Sequence, residues 1–344
     1  MAPLVTVIVP AYNYGHLISQ TIGNVQNQTY EEWECIVVDD GSTDHTKALV
    51  SEYANRDPRI RYICQTNQKQ AAAKNNGIRN SLGKYIQFLD ADDLIESEKL
   101  ARQVEYLESH DAVDIAYGQV RYFHDGSPRQ RLYSMFPENA EWMPKLSGTG
   151  AALLHFLKSE NMMAVNCPLL RKSVFERVGL FDENLSPLED WEMWIRAAAG
   201  GQYFQFVDRP GCLALVRVHE TSSSRDKFSM CAARVLVRRK LERFLTPQFL
   251  PYVDRSVRAS AEVHFAIEAL ADHRRLAAMW KLLRAGFFEP RLKSRAKWLA
   301  LCAAASFTND RHVRKYAKSP WTKRVRSLHP TERSESYGLS LLSK

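Results

Sequence analysis

The chain is predicted to be an α/β protein: a mostly parallel sheet flanked by helices, followed by an α-helical C-terminal extension. Three observations predict this. Short apolar runs alternate with helical patterns across the first 110 residues, with short connections between them. The runs are nearly continuous rather than alternating, as expected for strands covered on both faces. From Lys227 onward the strand signals give way to amphipathic helical spacing.

Leu4–Val9 (LVTVIV) is the first strand. Pro10-Ala11-Tyr12-Asn13 is expected to end it, because proline has no N–H to give a ladder. A helical pattern runs from about His16 to Gln28. Cys35–Val38 is the second strand and leads into Asp39-Asp40-Gly41-Ser42-Thr43-Asp44. Gly41 permits a tight turn there, and Ser42 or Thr43 can cap a helix reaching about Asn55. Arg59–Cys64 is the third strand, and Gln70–Ser81 the third helix, with Gly83 as its stop. Tyr85–Leu89 is the fourth strand, and Glu96–Ser109 a further helix.

Ligands of such sheets bind beyond the carboxyl ends of the strands. Polar residues collect at those ends: Pro10–Asn13, Asp39–Asp44, and the acids Asp90, Asp92 and Asp93 of YIQFLDADD. Carboxylates crowded together need a cation or hydrogen-bond donors to stay ionised. Oxygen-rich clusters suit hard ions such as Mg²⁺ or Mn²⁺. Acids after a strand also cap the next helix, so one cluster alone leaves both readings open. Two acidic clusters on one rim favour a shared ligand site. Neither GxGxxG nor GxxxxGK[ST] occurs, so a nucleotide would be held mainly by side chains and a metal.

The 344 residues allow two domains, or one with an appendage, and 45% apolar with 25% charged residues is ordinary globular composition. The six cysteines stand far apart without metal-ligand spacing, which predicts buried free thiols in a reducing compartment. No basic leader opens the chain, and the longest apolar stretch, Trp298–Phe307, is too short to span a bilayer. The expectation is a cytoplasmic protein, soluble or peripheral on the inner face of the membrane. Charge is divided: residues 221–344 carry 26 Lys and Arg against 10 Asp and Glu, whereas the first 220 carry 21 against 29. No recognition motif accompanies the basic segment, so nucleic acid is not expected as a partner.

VIVPAYNYGHLISQTIGNVQNQTYEEWECIVVDDGSTDHT and AAAKNNGIRNSLGKYIQFLDADD together closely resemble the nucleotide-binding half of family 2 glycosyltransferases. RKSVFERVGLFDENLSPLEDWEMWIRAAAGG is similar to that family's acceptor-side segment, and VRVHETSSS to its closing motif. The resemblance covers about residues 3–225. It implies a GT-A fold with a Rossmann-like sheet and a nucleoside diphosphate sugar as donor. It places Pro10, Tyr12 and Asn13 beside the base and Asp40 on a uracil or thymine N–H. Asp90 falls at the ribose, and Asp92 or Asp93 at a Mn²⁺ or Mg²⁺ bridging the diphosphate. Lys74 stands where the family usually has arginine, keeping charge but losing the bidentate fork. The family's general base maps onto Asp190, with Glu189 orienting it or binding acceptor hydroxyls. His219 maps onto a metal or diphosphate contact, and Arg217 onto support for the phosphates, with Ser222 and Ser224 in the same motif.

Glu189-Asp190 also precedes an amphipathic helix and would cap it in any case. Trp191 and Trp194, at helical spacing, read as core before they read as sugar-stacking platforms. Residues 139–166 are expected in the acceptor pocket. The extension reads as helices at 232–244, 253–271, 274–286 and 292–306, with basic clusters at 238–240, 291–297, 311–318 and 323–326. Such clusters are either a solvated helix face or a patch for an anionic membrane, each basic residue adding about 1 kcal/mol near the surface. The expected division is 1–110 donor half, 111–225 acceptor half, 226–328 helical extension and 329–344 tail. The function expected is inverting, metal-dependent transfer of one sugar to a glycan or lipid-linked glycan, since the QxxRW motif of processive members is absent. The alternatives are a sugar-1-phosphate nucleotidyltransferase, which usually has a glycine-rich N-terminal loop, and a non-catalytic sugar- or membrane-binding module.

Overall fold

The computed structural model describes residues 4–127, 130–135, 139–157, 160–219 and 275–288, with scattered positions between 230 and 266. Two compact units, Met1–Pro251 and Tyr252–Lys344, divide the chain.

The first unit alternates as expected: β1 (Val5–Ala11), α1 (Ile18–Gln26), β2 (Trp33–Asp39), α2 (Thr46–Arg56), β3 (Ile60–Cys64), α3 (Lys69–Asn80), β4 (Tyr85–Phe88). It continues with β5 (Leu94–Ile95), α4 (Lys99–Ser109), β6 (Ile115–Tyr117), β7 (Val120–His124) and α5 (Ala151–Leu157). The remaining elements are β8 (Pro168–Arg171), α6 (Ser173–Val178), α7 (Glu189–Ala199), β9 (Phe204–Phe206) and β10 (Ala214–Val218). Among the described residues, seven strands form one sheet in the order β3-β2-β1-β4-β8-β6-β9. Only β8 runs antiparallel to its neighbours in it.

Both faces of the central strands are covered, which is why their sequences are apolar without alternation. Val5, Val7 and Val9 join Ile18, Ile22 and Val25 of α1 in one core, with Val50, Leu100 and Val104 from α2 and α4. Ile36 and Val38 pack with Ala73 of α3 on the opposite face. There α3 lies so close to β1 that a Cβ on Gly77 would stand 2.4 Å from Ile8 Cγ2. Only glycine permits that approach, and it carries Lys74 of α3 down beside the strand mouths.

Three expectations are corrected. Pro10 does not end β1, which pairs through Pro10 to Ala11 against β2. In a parallel ladder successive residues address alternate neighbours. Ile8 O accepts from Leu89 N on the β4 side and Ala11 O from Asp40 N on the β2 side, so the missing Pro10 donor faces β4 beyond its last pair. Neither Ser42 nor Thr43 caps α2: the Asp44 carboxylate takes Thr46 N at 2.9 Å instead. Gly83 is not the stop of α3, which ends at Asn80. A Cβ on Gly83 would stand 2.6 Å from Thr6 N, so this glycine lets the chain cross over β1.

A three-stranded sheet, β5-β10-β7, completes the unit. In it β10 pairs parallel with β7 and antiparallel with β5, the strand that directly follows Asp93. That pairing brings residues 214–219 back to the acids of the fourth strand mouth. In the second unit, α8 (Arg275–Phe288) buries Ala278, Leu282 and Ala285, and its Lys281 and Arg284 lie 3.7 and 3.0 Å from Glu262. The helix expected at 292–306, the basic clusters beyond residue 290, the tail 329–344, and Ser222 and Ser224 lie outside the described residues. So do most of 232–244 and 253–271. No helix of the described residues is long and apolar enough to cross a membrane. Cys35, Cys167 and Cys212 are buried free thiols as expected, and Cys64 is a free thiol at the surface.

Candidate active site

The loops after β1 and β2 interlock through short polar side chains. Asn13, in the left-handed region at φ 59°, donates its N–H to Ser42 Oγ (2.8 Å) and accepts Thr43 N–H on Oδ1 (2.8 Å). An asparagine tolerates that backbone where most residues would not. The buried Asp39 accepts Ser42 N–H and the Tyr62 hydroxyl, fixing the turn from below. Asp40 Oδ1 accepts from Gln65 Nε2 (2.7 Å) and Gln68 N (2.8 Å), which orients the carboxylate. Tyr12 stands at this rim 47% exposed, an aromatic face available to a planar ligand. Pro10, Tyr12, Asn13 and Asp40 are therefore neighbours along one edge of the sheet.

Asp90, Asp92 and Asp93 have three different surroundings. Asp90 accepts Gln70 Nε2 at 2.7 Å, and burial, with the charges of Asp92 and Glu189, pushes its carboxyl up to about 6. Lys74 and the Gln70 bond pull the other way. Asp92 Oδ2 lies 2.7 Å from His219 Nε2, and burial, then the charge of Asp92, raises the nearby Tyr14 hydroxyl well above its ordinary value. Asp93 is buried, accepting Arg217 N–H (2.7 Å) on one oxygen and Asn166 Nδ2 (2.6 Å) on the other. Its carboxyl is raised well above the ordinary range, first by burial and then by Asp92 and Asp90. Arg217 is buried too. Its guanidinium reaches the Asp92 carbonyl (2.8 Å), Asp125 (2.6 Å) and Gln20 (2.9 Å), tying β10 to the acidic loop.

No group of three or more His, Cys, Asp or Glu among the described residues is arranged to hold a metal. Asp92 and His219, one oxygen and one imidazole nitrogen at contact distance, make a two-donor set. That set suits an ion which keeps several waters and takes its other ligands from a substrate's phosphates, as Mg²⁺ and Mn²⁺ do.

The acceptor-side pair stands at the first turn of α7. Leu188 before it is left-handed (φ 71°), an uncommon backbone for a branched residue and one that clusters at functional sites. Trp191 and Trp194 are core, as their spacing predicts, and Trp191 Nε1 donates to Leu157 O at 2.8 Å. Asp190 Oδ1 accepts Trp191 N–H (2.7 Å) and Oδ2 accepts Asn161 Nδ2 (3.0 Å). Burial and the charge of Glu189 push the Asp190 carboxyl up to about 7, against Lys74 and those two donors. Lys74, expected at the nucleotide, is placed with its ammonium 2.6 Å from Glu189 Oε1. The two are 1% and 4% exposed. Burial pulls the Lys74 ammonium down, but Glu189 and then Asp90 outweigh it and hold it above its ordinary value. Asp90, Lys74, Glu189 and Asp190 thus share one field, and Asp90 connects it to Asp92.

Four contributors carried no motif: Tyr14, Gln70, Asn161 and Asn166. Asn166 fixes Asp93 with its amide nitrogen and accepts Asp90 N–H (3.0 Å) with its oxygen. Both asparagines come from the stretch 139–166, where Gly148-Thr149-Gly150 and the scarcity of strand signals were the available signal. A separate depression of about 560 Å³ lies at the opposite edge of the sheet, lined by Leu82, Lys84, Arg171 and Lys172 among others. Its cations are engaged locally: Lys84 on Glu108, Arg171 on Leu107 O, Lys172 on Ser81 O.

The chain is 33% identical over 197 residues to "Uncharacterized glycosyltransferase RP339" of Rickettsia prowazekii, covering 57% of this chain and 58% of that protein. It covers 26% of a Rickettsia bellii "Uncharacterized glycosyltransferase", so it spans between about a quarter and three fifths of these curated relatives. It is 28% identical over 243 residues to "Putative teichuronic acid biosynthesis glycosyltransferase TuaG" of Bacillus subtilis, covering 70% of this chain and 89% of TuaG. Among solved structures, S. aureus TarS 1-349 in complex with UDP-GlcNAc matches with TM-score 0.58 at 17% identity, over 93% of this chain and 92% of that fragment. The mannosyltransferase PcManGT from Pyrobaculum calidifontis, in complex with GDP-Man and Mn²⁺, matches with TM-score 0.55 at 21% identity, over 96% and 89%. These likenesses show the GT-A fold. The model of the family described as "Glycosyl transferase family 2" matches residues 6–179, just over half the chain, and the chain belongs to that family.

Proposed function

We propose that the chain transfers one sugar, with inversion, from a nucleoside diphosphate sugar to a hydroxyl of a glycan or lipid-linked glycan in bacterial surface polysaccharide synthesis. The observation that carries this is the shared field joining Asp190 and Glu189 to Lys74, Asp90 and, through Asp90, the Asp92–His219 pair. Asp190 is the general base. Each of its oxygens already accepts one hydrogen bond, leaving lone pairs for the proton of the acceptor hydroxyl. As that proton moves to Asp190, the acceptor oxygen bonds to the anomeric carbon and the bond to the diphosphate oxygen breaks on the opposite side. Asp92 and His219 would hold the Mn²⁺ or Mg²⁺, which offsets charge on the departing diphosphate.

On the donor side, Tyr12, with Pro10 and Asn13, receives the base, Asp40 accepts its ring N–H and Asp90 meets the ribose, so uridine and thymidine diphosphate sugars are favoured. That TarS was solved with UDP-GlcNAc supports a uridine donor. PcManGT, solved with GDP-Man and Mn²⁺, makes guanosine the comparison to include. The name of TuaG supports the polysaccharide setting. Residues 1–110 act as the donor half and 111–225 as the acceptor half. The basic residues of 226–328 rest on the anionic inner leaflet, with 329–344 as a tail.

The test is nucleotide release from a panel of UDP-, dTDP- and GDP-sugars with Mn²⁺, in wild type and Asp190→Asn. The variant is expected to bind donor and to lose at least about 10²-fold in transfer, the lower end of what a positioned base contributes. Retained transfer would remove Asp190 as base. Pyrophosphate exchange would point instead to a nucleotidyltransferase, and binding without turnover to a module.

A further inference from the structure

We propose that Lys74 and Glu189 form a positioning pair that sets the carboxylate of Asp190 from the donor side of the molecule. The proposal rests on the reading of Asp190 as base and adds to it a residue with no sequence neighbourhood in common with the base. Lys74 lies on α3, 115 positions before Glu189, and its ammonium reaches Glu189 Oε1 at 2.6 Å with both side chains buried. Glu189 is the first residue of α7 and Asp190 the second, so whatever holds one holds the backbone of the other. An arginine or lysine serving only phosphates would have no reason to be 1% exposed with its ammonium hydrogen-bonded to Glu189.

Among the described residues, the charged groups acting on Asp190 are few. Glu189 on its own helix raises its carboxyl, and Lys74 from α3 lowers it. Asp90, after β4, feels both Lys74 and Glu189. The Cys167 thiol nearby is pushed up to about 12 by burial and stays neutral. Asn161 and Trp191 N–H are neutral donors. With so short a roster, removing either member of the pair changes Asp190 with opposite sign. A residue that merely filled space would not do that.

The experiment is a carboxyl titration of the full chain by NMR, with aspartate labelled at ¹³Cγ and the Asp190 signal identified by its loss in Asp190→Asn. Lys74→Met should raise the Asp190 midpoint by about one pH unit, and Glu189→Gln should lower it by about one unit, the low end for charges at this range. Glu189→Gln leaves Lys74 an amide oxygen to bond, so it keeps the test open if Lys74→Met does not fold. Where turnover of UDP-GlcNAc or GDP-mannose is measurable, the acid limb of kcat should move in the same two directions. An Asp190 midpoint unmoved by Glu189→Gln would overturn the proposal. Transfer retained by Asp190→Asn would instead sink the reading of Asp190 as base, whatever the titration shows.

Discussion

Asp92 and Asp93 stand side by side in the chain with different occupations. Asp92 shares the rim with His219 and Tyr14, whereas Asp93 holds Arg217 N–H and Asn166 Nδ2. Their variants should therefore fail differently. Asp92→Asn is expected to lose metal-dependent nucleotide release while keeping its thermal midpoint. Asp93→Asn would turn an amide N–H₂ toward a donor, costing about 1–3 kcal/mol, or roughly 5 °C. Calorimetry beside the release assay checks both. Equal loss of activity with no thermal change in Asp93→Asn would show that Asp93 also faces the ligand.

At the scale of elements, the strand–helix order was legible because a two-sided sheet demands apolar strands and short connections. Pro10 departs from expectation for a related reason: a missing donor ends a ladder only on the side where a neighbour needs it, and the sequence does not show which neighbour each residue addresses. The acids were legible as a rim, but not their division of labour, since that depends on Asn161, Asn166, Gln70 and Tyr14, which carry no charge to advertise them. Glu189 was legible as part of a pair, and Lys74 as its partner was not, because contact across 115 residues leaves no local pattern. The basic extension is an element-level question as well. Deleting residues beyond Pro251 leaves the first unit with its Lys240–Asp182 ion pair, and should release the protein from phosphatidylglycerol vesicles in a flotation assay. Unchanged vesicle binding would refute the membrane role of the second unit.

For the whole molecule, the crowded acids predict how stability varies with pH. Asp90 titrates at about 6 and Asp190 at about 7, against 3.8 for a free aspartate, and Asp93 is raised as well. The unfolded chain gives up these protons first, so their contribution is complete below about pH 4 and is lost as pH rises through 6 and 7. Asp57, held down at about 2 by its bond to Arg59, acts only in more acid solution. Lys99, pulled down to about 8 by burial, acts above the window. The thermal midpoint should fall by about 5 °C from pH 5.5 to 7.5, and less in Asp190→Asn. A flat wild-type profile over that range would contradict the raised carboxylates. Donor with Mn²⁺ should recover the loss at pH 7.5, since binding to the native form alone stabilises it. The return of β10 between β5 and β7 also dates the moment at which the rim is complete. A ribosome must deliver His219 before Asp92 meets its imidazole, so on the proposed reading a nascent chain ending sooner has donor-side residues without their counterpart.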